Sequence, residues 1–298
     1  MAVLVVDGEI VEKVKKSTPR EGGPGDVINT IVRAVEKVDP DATAVALGIG
    51  VPGPVVPGTG VLPAAPNLPG WDHDVDIGRL LSERIGALPV VVGNDVNVGT
   101  LAEHRYGAGV GVDNLLGVFA GTGVGAGLIL DGRLRQGPRG MAGEIGHTFV
   151  AFRDLHLEGP GRGELEDYAG RNSLERRARH FVAKGESTVI FDIAGGGRIK
   201  SRVWKEAIDA GDAMARRLVD DAASALAAAM ASTIALVDVE LIVLGGGLTE
   251  RLGEDFRRRV EDELLERAFA DTSAPVRSAR LGDTGGALGA ALLVEDLA

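Results

Sequence analysis

The chain has 298 residues, a net charge of −11 and no cysteine, with 45% apolar and 25% charged residues. That composition fits a globular protein of one large or two ordinary domains. It excludes disulfides, thiol nucleophiles and Cys-ligated zinc, and its acidity argues against nucleic acid as a partner, because a phosphate backbone needs a basic face.

The N-terminus shows no basic region followed by a small-residue cleavage site, and no apolar run reads as long enough to span a bilayer. The expectation is a cytoplasmic protein with no membrane partner.

In chain order, residues 3–6 and 10–14 are apolar runs flanking Asp7-Gly8, which predicts a tight β-hairpin. Residues 26–38 carry helical spacing, with Asp26 placed to cap it. ATAVALGIG, residues 42–50, reads as a buried strand, followed by a Pro/Gly-rich loop. Helix is predicted over 77–85, strand over 88–92 and helix over 96–106. This alternation of strand and helix marks a layered α/β fold.

A second strand set begins at 115–120 and runs through GTGVG into a hairpin, 126–130 and 133–136, turning at Asp131-Gly132. Residues 173–184 are amphipathic, and 203–239 read as one long Ala-rich helix. Residues 240–244 form a short buried strand ending in Gly245-Gly246-Gly247. A charged surface helix is predicted over 253–267 and an apolar helix over 285–297. AVLVVDGEI near the N-terminus lies on AGLILDGRL (126–134) without a gap, so the chain contains two similar strand–DG–strand units.

Three kinds of residue could carry chemistry. Asn94 and Asp95 stand just past the C-terminal end of a buried strand, the edge where open α/β sheets bind ligands. Asp95 could serve as a general base, or Asn94 or Asp95 could cap the next helix; the stretch alone leaves both open. Gly121-Thr122-Gly123 can aim backbone N–H groups at an anion, but the loop opens a hairpin where a dinucleotide fold would open a helix. GEIGH puts Glu144 and His147 three apart among glycines, fit to receive ligand hydroxyls, and no His in the chain has metal-ligand spacing.

GVPGPV, PNLPGW, GNDVNVGTLAEHRYGAG, GTGVGAGLILDGRLRQGPRGMAGEIGH, LIVLGGGL and LGDTGGALGAALL, in this order and spacing, resemble the ROK family of sugar kinases and repressors. The resemblance implies α/β architecture with two ribonuclease-H-like lobes of the actin/hexokinase type around a central cleft. Residues 1–107, joined by 284–298, would form the small lobe and 108–283 the large one. It also implies ATP-dependent phosphorylation of a hexose, glucose foremost, with Mg²⁺ on the phosphates, in a homodimer.

Carried over residue by residue, Asp95 matches the general base, and Asn67, Asn94, Glu144, His147 and Glu166 match the sugar-binding set. Gly121, Thr122 and Gly123 match a phosphate loop, and Gly245, Gly246 and Gly247 the adenosine segment. The sequence departs from the family twice. The segment after His147 lacks the cysteines with which many members bind zinc, so His147 is expected to serve the sugar and no metal. The family also places a strand and a DxGGT-type phosphate loop before the residues matching AVLVVDGEI, and that motif is absent here. A non-catalytic sugar-binding or regulatory protein is the competing reading. A polyphosphate-using kinase is disfavoured by the acidic charge. A DNA-binding repressor is disfavoured by the charge and by the lack of a winged-helix module.

Overall fold

The computed structural model describes residues 1–19, 21–63, 70–151, 161–269 and 274–295. The chain opens with an antiparallel hairpin of β1 (Ala2–Val6) and β2 (Glu9–Val14), then α1 (Pro24–Val38) and β3 (Leu47–Val51). The short strands β4 (Val61–Leu62) and β5 (Val75–Asp76) pair before α2 (Ile77–Ser82); β6 (Val90–Asn94) then runs parallel to β3 and leads directly into α3 (Asp95–Tyr106). The larger sheet follows with β7 (Leu115–Ala120), β8 (Val124–Leu130) and β9 (Arg133–Leu134).

Helices α4 (Leu165–Ala169), α5 (Arg171–Ala183), α6 (Ile190–Ala194), α7 (Ser201–Asp209) and α8 (Ala213–Val237) come next. The chain returns to the sheet with β10 (Leu241–Gly245), passes through α9 (Gly247–Leu252), α10 (Glu254–Arg267) and β11 (Val276–Ser278), and ends in α11 (Gly282–Leu292). The larger sheet has the order β11-β10-β7-β8-β9, with β10 parallel to β7 and β8 antiparallel to it.

Both Asp-Gly hairpins form as their sequences predict. Asp7 and Gly8 have φ of 51° and 80°, and Asp131 and Gly132 have 53° and 70°. Two successive left-handed residues make the turn whose twist matches a tight hairpin.

The larger sheet is buried on both faces. Leu116, Val118, Ile242 and Leu244 face a core built with α5, α7, α8 and α10, while Leu115, Leu241 and Val243 face the other way, toward α3. A Cβ on either Gly117 or Gly127 would overlap Thr100 of α3. These two glycines are what let the helix lie directly on the strands. On its other side α3 packs against α11, where Gly289 approaches the Val98 carbonyl too closely for any side chain.

Several boundaries differ from the sequence reading. Asp26 is not the cap of α1: Gly23 is, and the Asp26 carboxylate reaches back to the Gly23 N–H at 3.2 Å. The long helix predicted over 203–239 is two, α7 and α8, broken at Gly211 (φ 81°) and restarted by Asp212, whose side chain accepts the Ala215 N–H at 2.7 Å. Helix α8 has the length and apolar composition of a membrane span, contrary to the sequence reading, but Leu218, Ala222, Leu226 and Met230 are buried in the core. It reads as a core helix. Asn67 and the last residues of the predicted C-terminal helix lie outside the described residues.

The two strand pairs near the N-terminus do not join. Among the described residues β1 pairs only with β2, and β3 only with β6. Between β1 and β3 lies a cavity of about 1020 Å³, lined by Val3, Val5, Gly48 and Gly50 together with Ile31 of α1 and Ala287 of α11. The Leu47 N–H donates to Pro89 on the β6 side. Alternate residues of a strand point their backbone groups to opposite edges, so Gly48 and Gly50 present theirs to the cavity.

Candidate active site

Strand β6 delivers Asn94 and Asp95 to the sheet edge, and the structure separates their roles. Asn94 is the cap of α3: its Oδ1 accepts the N–H groups of Val96 (2.9 Å) and Asn97 (3.0 Å), and its Nδ2 donates to the Gly53 carbonyl at 3.1 Å. Asp95 is the first helical residue, held through one oxygen by the Val96 N–H at 2.9 Å. It keeps a solvent-accessible face, yet protein crowds it on its other sides. That crowding raises its pKa above the ordinary 3.8, the Val96 bond opposes the rise, and the charge of Glu144 adds to it.

The glycine loop closes the other side. The Gly121 N–H donates to the Gly123 carbonyl at 2.8 Å, a tight turn between β7 and β8. Val96, next to Asp95, packs so closely on β8 that a Cβ on Gly125 would lie 2.9 Å from its Cγ2. Helix α3 therefore holds Asp95 beside the loop. The loop is braced from α4 by Glu166, whose Oε2 accepts the Val124 N–H at 2.7 Å. Gly123 leaves room for that carboxylate, which any Cβ there would overlap. Glu166 thus occupies the underside of the loop, a position its expected role toward the sugar did not include.

Gly143 begins the turn that places Glu144 and His147, the latter closing a short 3₁₀ helix (Ile145–His147). His147 Nδ1 lies 3.1 Å from Glu164 Oε2. This contact raises the His147 pKa above 6.5, against the effect of its partial burial, and the charges of Glu144 and Glu166 add to the rise. Burial raises the pKa of Glu144, Glu166 pushes the same way and His147 opposes both. These mutual influences tie Asp95, Glu144, His147, Glu164 and Glu166 into one electrostatic cluster.

Glu164 is the member the sequence reading missed. It caps α4, and Asp167 fixes the turn before it by accepting the N–H groups of Arg162 (2.7 Å), Gly163 (3.1 Å) and Glu164 (3.2 Å). The sequence signal was the pair of acids in GELE, two apart, of which only one was singled out. With Nδ1 engaged by Glu164, Nε2 is the ring nitrogen left for a ligand.

Gly246 (φ 95°) brings the end of β10 against the backbone of Ala120, so close that a side chain there would overlap it. The segments 121–123 and 245–247 therefore stand side by side at the ends of adjacent parallel strands, where α/β folds bind ligands. No group of three or more His, Asp or Glu suited to a metal occurs among the described residues. That donor set does not cage an ion, but it fits magnesium carried on nucleotide phosphates, which needs only one or two carboxylates. Glu166, bonded to the loop at Val124, is the candidate.

This mixed α/β arrangement around a central sheet has the fold of the actin/hexokinase-like ATPases. The chain is 33% identical to a ROK hexokinase from Thermus thermophilus over 97% of this chain and 94% of that one, with a TM-score of 0.78. It is 29% identical to a ROK family glucokinase from Streptomyces griseus, solved with glucose and AMPPNP, over 98% of this chain and 94% of that one, with a TM-score of 0.77. A glucokinase of Thermotoga maritima is 32% identical over 97% of this chain and 92% of its own length. The profile of the ROK family matches residues 1–297, and the chain belongs to that family.

Proposed function

We propose that the chain is a sugar kinase that transfers the terminal phosphoryl group of ATP to a hexose, glucose foremost, with Asp95 as general base. One observation carries the reading: Asn94 caps α3, and the Asp95 carboxylate, held through Oδ1 by the Val96 N–H, keeps a solvent-accessible face at the start of that helix. Its raised pKa brings it closer to that of a useful base. Relatives solved or named as a hexokinase and glucokinases support the sugar-kinase part of this reading.

A sugar hydroxyl is a poor nucleophile, and phosphoryl transfer depends mainly on alignment and charge stabilisation. Asp95 accepts the proton as the hydroxyl oxygen attacks. Asn94, Glu144 and His147 receive the other hydroxyls, with His147 oriented by Glu164. Asn67 completes this set from outside the described residues. Gly121, Thr122 and Gly123 hold the donor phosphates, and Gly245, Gly246 and Gly247 lie along the nucleoside. Magnesium carried on the phosphates would neutralise their charge, with Glu166, bonded to the loop at Val124, the carboxylate that would hold it.

The test is a coupled assay with glucose, ATP and Mg²⁺, run beside calorimetry with each ligand. Turnover that disappears in Asp95→Ala while glucose still binds supports the reading. Full activity in that variant, or glucose binding without any nucleotide binding, overturns it in favour of a sugar-binding regulator.

A further inference from the structure

Arg171 opens α5, and its backbone already belongs to the site. Its N–H donates to the Gly121 carbonyl at 3.1 Å, and the Asn172 N–H donates to the Thr122 carbonyl at 3.1 Å. The side chain then crosses the gap between the two glycine segments. Nη2 donates to Thr122 Oγ1 at 2.8 Å, and Nη1 reaches Ser201 Oγ at 3.4 Å. That Ser201 hydroxyl lies 4.0 Å from where a Cβ on Gly247 would stand. One guanidinium thus spans the distance from segment 121–123 to the neighbourhood of segment 245–247.

Neither contact uses its charge. Thr122 and Ser201 are neutral, and the acid that most affects Arg171, Glu175, is bonded to Arg179 at 2.7 Å. Burial disfavours the Arg171 charge, and the positive charge of Arg198 acts in the same direction. A half-buried cation with a like-charged neighbour and only hydroxyl partners, in a chain of net charge −11, is poised to receive an anion. Its planar fork suits phosphate oxygens better than the single hydroxyls it now touches.

We propose that Arg171 is a phosphate-binding residue of the nucleotide site: it exchanges its hydroxyl partners for oxygens of the donor's phosphate chain, with Arg198 supplying a second positive charge. The proposal rests on the kinase reading above. A purely structural strut between the loop and α7 would make the same resting contacts, so the test must separate phosphate recognition from loop support.

Calorimetry on the full chain with adenosine, ADP, ATP, pyrophosphate and glucose makes that separation. Arg171→Gln should weaken ADP, ATP and pyrophosphate by about 10- to 100-fold, the loss of a charge-assisted contact, while adenosine and glucose stay within about twofold. Arg171→Lys, which keeps the charge and loses the fork, should recover part of that loss. Equal losses for adenosine and ADP would identify a strut and overturn the proposal, as would unchanged ADP affinity. Should Arg171→Gln lose glucose binding through misfolding, exposed Arg198 provides the second variant: Arg198→Gln should weaken ADP several-fold and flatten its salt dependence, and no change overturns the proposal. If the wild-type chain binds glucose but none of the phosphate ligands, the kinase reading falls and this proposal with it. Active wild type beside an unaffected Arg171→Gln removes this proposal alone.

Discussion

The Glu103 carboxylate accepts the backbone N–H of Arg280 at 2.8 Å, across 177 residues of sequence. The same oxygen takes the Leu281 N–H at 2.8 Å, and the other takes the Ala108 N–H at 2.9 Å. Glu103 is 2% exposed. One buried side chain on α3 therefore fastens both places where the chain passes between the larger sheet and the paired helices α3 and α11. Glu103→Ala strands three backbone donors, one buried at Ala108 and two part-buried at Arg280 and Leu281, and should cost about 2–4 kcal/mol, read from the denaturant midpoint. Glu103→Gln keeps the acceptor for Arg280 and Leu281 but sets an amide N–H against Ala108, and should cost about 1–3 kcal/mol.

Asp95→Asn should lower kcat by about 10²–10⁴-fold and leave glucose affinity nearly unchanged. In the wild type the base works only when deprotonated. Its pKa is raised above 3.8, so the acid limb of the rate profile should sit above the ordinary carboxylate value. A limb at or below 3.8 would remove Asp95 from the role.

The His147–Glu164 pair joins two segments that are also linked by the Leu165 N–H to the Thr148 carbonyl at 2.8 Å and the Val150 N–H to the Gly163 carbonyl at 2.9 Å. The folded imidazole has its pKa above 6.5. Its contribution is therefore complete below the unfolded value and is lost as pH rises through the folded one. Amide protection at Val150 and Leu165 should fall over that rise, and His147→Gln should abolish that pH dependence.

Gly123→Ala puts a methyl group where the Glu166 carboxylate lies. The bond from Val124 N–H to Glu166 should break, and nucleotide affinity should fall by about 10-fold or more with a smaller change for glucose. Glu166→Ala made in the same background should relieve the clash, so the double variant should bind nucleotide no worse than Glu166→Ala alone.

Much of this site was legible before any coordinates. The Asp-Gly dipeptides announced both hairpins, and Gly93-Asn94-Asp95 announced the place where a strand gives way to a helix. What the sequence left open was which of Asn94 and Asp95 would cap α3, because both residue types cap equally well. The structure decides it through Asn94, whose amide is also anchored to Gly53 from a distant loop. Glu164 stayed hidden because its partner His147 is seventeen positions away and nothing local marks the pairing. Arg171 stayed hidden for a similar reason: a basic residue opening a helix reads as ordinary until Thr122 and Ser201 are brought to it.

The cavity between β1 and β3 marks a fault line in the cooperativity of the molecule. The core around β7, β8 and β10 is continuous from α5 to α10, whereas β1 and β3 meet across open space, and the backbone groups of Gly48 and Gly50 have water as their natural partner there. Subglobal opening should begin along that line, with the β1–β2 hairpin leaving first. Amide exchange at Gly48 and Gly50 should run far ahead of that at Val118 and Ile242, and an environment-sensitive dye should light up the apolar walls before the larger sheet loses any structure. Slow exchange at both glycines would show that the line is closed in solution.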